Sequence, residues 1–122
     1  MSHIVTIRVE VKDFDAIQAA CRRLNLKQPS YGRAEIFNTT VEGVLVQLPE
    51  WIYPVCCVLE SGEIRYDNYA EQWGDKKYLD CFVQAYSIEK ATLEARRKGY
   101  SVVEQSLADG SIKLIVNLGG AA

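Results

Sequence analysis

From the N-terminus, the first clear pattern is an alternation. Val5, Ile7, Val9 and Val11 take turns with Thr6, Arg8 and Glu10, the period of a strand with one wet face. The period then changes. Asp13 offers an N-cap carboxylate, and Phe14, Ile17, Cys21 and Leu24 recur at helical spacing, with Arg22 and Arg23 off that stripe. Lys27-Gln28-Pro29 is the expected stop, since a residue before proline disfavours the α region.

The middle is strand-rich. Residues 34–38 are a weak strand, and 41–48 a stronger one with Val44, Val46 and Leu48 on one face. Residues 55–60 and 63–67 form a hairpin around Ser61-Gly62. Pro49 and Pro54 bracket Glu50-Trp51-Ile52-Tyr53, an aromatic loop.

A long helix is predicted over 75–98, with Leu79, Phe82, Val83, Tyr86 and Leu93 sharing a face. Lys90 and Arg97 interrupt that stripe, while Ile88, Ala91 and Ala95 lie opposite. The second half is therefore expected either to kink or to pack on two sides. Gly99 is a natural C-terminal stop. A closing hairpin follows, 101–107 with 111–118, around Asp109-Gly110. Ile112, Leu114, Val116 and Leu118 alternate in it, and Gly119-Gly120-Ala121-Ala122 reads as a frayed tail. The order β-α-β-β-β-β-α-β-β predicts an α+β fold: a mostly antiparallel sheet with two helices on one face. The expected organisation is one domain, 1–118, and a tail, 119–122.

Composition adds bounds. With 122 residues, 48% of them apolar, one ordinary core can form without disulfides or metals. A net charge of −2 gives no signal for nucleic acid, which needs clustered Lys and Arg. The one basic run, Arg96-Arg97-Lys98, falls at a helix end, where cations complement the dipole. No leader and no span of roughly 20 apolar residues is visible, so the expected address is cytoplasmic, or the plastid stroma for an organellar gene, with no membrane partner.

The chemistry-bearing residues are sparse. Cys21, Cys56, Cys57 and Cys81 contain no C-x-x-C and read as reduced small hydrophobes. Cys56 and Cys57 would face opposite ways on one strand. His3 is the only histidine and reads as a polar residue before the first strand. Phosphate loops are absent, and Glu71, Asp75 and Asp80 are most simply a helix-start cluster. No catalytic, metal or cofactor-binding residue is assigned, and no cofactor is expected. Aromatic residues are the exception. Trp51, Tyr53, Tyr66, Tyr69 and Trp73 sit in the middle and before the long helix. Large loop aromatics serve as contact anchors or close a small core; the core reading is preferred, with Trp51, Tyr53 and Trp73 kept as interaction candidates.

As a set, several of these features resemble a known family. Met1-Ser2-His3 leads into a strand, and Trp73 precedes a long helix carrying Tyr86. Gly99-Tyr100, Glu104 and Asp109-Gly110-Ser111-Ile112 follow before a closing strand. In this the chain resembles the hypothetical chloroplast reading frame thirty-five proteins and their bacterial relatives, a domain of unknown function. The resemblance is concentrated in roughly the last 50 residues. It implies a plastid, cyanobacterial or other bacterial source and a soluble compartment, but no reaction and no catalytic residues.

Three functions are compatible with these patterns. The leading expectation is a non-catalytic interaction or adaptor module with a protein partner. The second is a small-molecule-sensing domain that homodimerises. The third is a small enzyme using a cysteine or carboxylates assembled in space.

Overall fold

Asp13 caps a helix as its position predicts: its carboxylate accepts from the N–H groups of Asp15 and Ala16 at 3.0 and 3.3 Å. In the computed structural model, which describes residues 10–36 and 38–118 and the backbone of Val5–Ile7, helix α1 is Phe14–Arg23. It stops earlier than Pro29 suggested. Asn25 takes a left-handed φ of 57°, with Asn25 N–H on Arg22 O and Leu26 N–H on Cys21 O. Those two bonds close the helix end, so the stop is written in Asn25 and Pro29 merely follows. His3 and the 119–122 tail lie outside the described residues.

The strands are β1 (Val5–Ile7), β2 (Ser30–Ile36), β3 (Thr39–Val46), β4 (Val55–Val58) and β5 (Glu63–Tyr66). They form one antiparallel sheet in the order β1-β5-β4-β3-β2. Cross-strand pairs Val44↔Cys57, Val46↔Val55 and Cys57↔Ile64 put one apolar set on one face. Onto that face pack Ala16, Ile17, Ala20 and Cys21 of α1. Leu79, Phe82, Ala85 and Tyr86 of α2 (Lys76–Arg97) join the same core. Both helices thus cover one side of the sheet, the α+β arrangement the element order predicts. On the other face a smaller cluster gathers Ile36, Val41 and Cys56, with Tyr53 and Leu45 at its margin.

Helix α2 is buried on two sides and needs no kink to be so. One stripe meets α1. The Tyr86 hydroxyl accepts from the N–H groups of Lys12 and Asp13, both at 3.1 Å, and Lys90 and Arg97 reach the Asp13 carboxylate at 3.1 and 3.3 Å. Lys90 and Arg97, which break the apolar stripe in the sequence, are therefore interhelical partners. Ile88, Thr92 and Ala95 form a second buried stripe, spaced i, i+4, i+7.

The helix ends as Gly99 predicts. Gly99 has φ 82°, with its N–H on Arg96 O and Tyr100 N–H on Ala95 O. That turn sends the chain back along α2. Strands β6 (Ser101–Ser106) and β7 (Ile112–Asn117) follow. They make a separate two-stranded sheet rather than extending the main one.

Candidate interaction surface

The β6–β7 hairpin is held to the body at three places. Its base is the Gly99 turn. Its tip returns to α2, where Gln84 Nε2 donates to Gly110 O at 3.2 Å. Between them Arg23 of α1 bridges Glu89 of α2 at 2.9 Å and Glu104 of β6. The Glu104 bond, ahead of a smaller opposing burial effect, raises the Arg23 guanidinium above its ordinary value. The turn is built locally. Gly110 adopts φ 89°, and Asp109 accepts from the Ser111 N–H and hydroxyl at 3.0 and 2.6 Å.

Register decides which hairpin residues face the body. Val102↔Val116, Glu104↔Leu114 and Ser106↔Ile112 share one face. Glu104 reaches Arg23 from that face, and Val102, Ile112 and Leu114 are half-buried, so it is the inner one. Val103 and Ile115 are directly opposed on the outer face, 53% and 42% exposed. Val116 on the inner face is exposed as well, as are Leu107 and Leu118 just beyond the strand ends. In the sequence this surface is signalled where alternation fails: Val102-Val103 and Leu114-Ile115-Val116 put apolar groups on both faces of the ribbon.

The aromatic candidates separate. Trp51 is buried, its ring edge-on to Tyr66 at 5.5 Å and its indole N–H on Asp75 O at 3.0 Å. A methyl group at Gly74 would collide with that ring. Trp51 is therefore part of the main core. Tyr53 and Trp73 are half-buried and meet edge to face at 5.5 Å, and Tyr69 stacks on Trp73 at 4.7 Å. They sit where the 49–54 and 67–75 loops join, through Ile52 N–H on Trp73 O. Tyr69, Ala70 and Glu71 all have positive φ, at 47°, 51° and 72°, which is costly for side chains with a Cβ. Around that turn, Asp67 accepts from Tyr69 N–H, Asn68 donates to Gly74 O and Glu71 accepts from Lys76 N–H.

The remaining candidates find structural partners. Cys21, Cys56 and Cys57 are buried and Cys81 is exposed. Cys57 faces the helices and Cys56 the smaller cluster. Burial pushes the Cys21 thiol up to about 11 and raises Cys56 and Cys57 as well, so all three stay protonated near neutral pH. Arg97 of the basic run is engaged by Asp13 and Asp15. Burial alone would raise the Asp13 carboxyl, but bonds from Lys90 and the Ala16 N–H, the Lys90 charge and Arg97 outweigh it, holding Asp13 below the usual range. Asp75 caps α2 through Lys77 N–H. Among the described residues, no group of three His, Cys, Asp or Glu side chains could hold a metal ion, and no helix is long and apolar enough to cross a membrane.

An open apolar hollow of 260 Å³ lies between Leu24, Leu26, Pro49, Tyr78 and Cys81. It falls below the roughly 300–1,000 Å³ of ordinary ligand pockets. A second hollow of 370 Å³ is bordered by Tyr31 of β2, Glu42 of β3 and Glu60 just beyond β4. Compared with known protein families, with curated proteins and with solved structures, the chain matches none.

Proposed function

We propose that this chain is a non-catalytic interaction module, a subunit or adaptor that binds a protein partner through the outer face and open edges of β6–β7. One observation carries the reading. Of the seven large hydrophobic residues exposed among the described residues, five lie between positions 103 and 118, and two of these, Val103 and Ile115, oppose each other on the outer face. Isolated exposed apolar residues are ordinary, but concentration on one element marks a contact surface. A two-stranded ribbon also has two unpaired edges, and strand addition uses edge bonds for affinity and alternate side chains for choice of partner. The partner chemistry that fits is an extended, apolar protein segment. Cytoplasm or plastid stroma is the proposed address, and kinship with the plastid-type family belongs to the same proposal.

The test is a paired substitution, Val103→Lys with Ile115→Glu, which keeps opposite charges across the strand pair, in tagged protein recovered from the source cell. The expected result is a stoichiometric partner present with the unaltered chain and lost from the variant, with melting temperature unchanged. Equal recovery by both proteins, or a protein that never recovers a stoichiometric partner, contradicts the reading. The hollow at Cys81 motivates a second reading, a small apolar ligand. A reproducible rise in melting temperature with such a ligand, abolished by Leu26→Glu, would favour it.

A further inference from the structure

We infer that this protein binds a second copy of itself, edge to edge through β2, with a two-fold axis at Ala34. The inference does not depend on the hairpin.

The main sheet ends in β1 at one edge and in β2 at the other. β2 has seven residues, all paired to β3 on its inner side. Among the described residues, no other hydrogen bond reaches the Ser30–Ile36 backbone. Neither lysine nor proline stands within Ser30–Ile36, although these commonly block pairing at an edge. Tyr31, on that strand, is 64% exposed.

Charge then selects the occupant and the register. Arg33 and Glu35 are two residues apart, so their side chains share a face. In an antiparallel pair of identical strands, residues opposite each other are related by the axis. An axis at Ala34 sets Arg33 against the partner's Glu35, and Glu35 against the partner's Arg33. Shifting the axis to residue 33 would oppose two arginines, and shifting it to 35 would oppose two glutamates. Opposite charges across a strand pair stabilise it and like charges destabilise it. The strand is therefore complementary to itself in one register and repelled by itself in its neighbours. Arg33 is free enough to take part: it lies 3.4 Å from Glu42 with its side chain 74% exposed, and a guanidinium has donors for two carboxylates. The joined sheets would form one continuous sheet across the dimer, an isologous contact of the commonest symmetry.

Sedimentation velocity over a concentration series tests this on the full chain, in a Glu42→Gln background so that the Glu42 contact does not confound it. The background protein is expected to dimerise. Arg33→Glu alone and Glu35→Arg alone should each raise the dimer dissociation constant about tenfold or more, since two attractive pairs become repulsive. The double exchange, Arg33→Glu with Glu35→Arg, should restore most of that loss. Both positions are exposed, so melting temperatures confirm that every variant is folded. A chain that stays monomeric throughout the series overturns the inference. So does a dimer indifferent to the single substitutions, or one that the double exchange fails to restore. A dimer lost only in Val103→Asp would place the second copy on the hairpin instead, and would equally overturn it.

Discussion

The strands beneath the helices and the strands at the C-terminus are both apolar and regular, yet they end in different environments. Val44, Val46 and Ile64 of the main sheet are fully buried, whereas Val103 and Ile115 of the closing hairpin are about half exposed. The difference is one of layers. The main sheet has two helices on one face and a smaller cluster, bordered by Tyr53, on the other. The hairpin rests on α2 with its inner face, while Val103 and Ile115 on its outer face stay exposed among the described residues. A residue's apolar character thus records what it can bury, and the layers around it decide whether it does so within this chain.

This contrast can be broken most forcefully in the body. Phe82 is fully buried in the main core, and Phe82→Ala should cost about 3–5 kcal/mol, read from chemical denaturation. Gly74→Ala, which drives a methyl group into the Trp51 ring, should cost about 1–3 kcal/mol by overpacking. A smaller loss is expected from Tyr86→Phe. It removes the hydroxyl that accepts from Lys12 and Asp13 N–H, worth about 1–2 kcal/mol.

Next in size is the carboxylate linking the helices. The Asp13 carboxyl is held below its ordinary value of 3.8. A group with a depressed folded value stabilises the fold above its unfolded value, and that stabilisation is lost as pH falls through the folded one. Asp13→Asn keeps a capping side chain but removes the charge that Lys90 and Arg97 face. It should lower stability by up to about 1 kcal/mol near neutral pH. Melting curves of the two proteins should converge as the pH drops below 3.8; an offset that persists in acid would show that the charge is not the cause.

The smallest effect on stability sharpens the contrast from the other side. Val103→Lys with Ile115→Glu, an oppositely charged cross-strand pair, should change folding free energy by no more than about 0.5 kcal/mol, although both residues are as hydrophobic as those of the core. A loss comparable to that of Phe82→Ala would make the hairpin's outer face part of the folding core.

Much of the fold is legible in the sequence because local chemistry states it. Asp13, Gly99 and Asp109-Gly110 act at the positions where a cap, a C-terminal stop and a turn are expected. Asn25 ends α1 by a left-handed turn that was equally available in the sequence but stands in the shadow of Pro29. Long-range choices are less visible. Nothing local says that Lys90 and Arg97 would find Asp13 across 77 and 84 residues of chain, or that β6 and β7 would stay apart from the main sheet. The aromatic candidates were legible only as a group. Trp51 enters the main core while Tyr53 borders the smaller cluster and stacks edge to face with a half-buried Trp73, and that division depends on how two loops meet through Ile52 and Trp73.

Contact between a partner and the outer face of β6–β7 can be read in the source cell from a photo-crosslinking residue placed singly at Ile115, at Val103, and at the exposed body position Glu60. A discrete, heavier adduct is expected from positions 115 and 103 and none from position 60. Adducts absent from both hairpin positions, or formed equally from all three, would show that this face is not the contact surface.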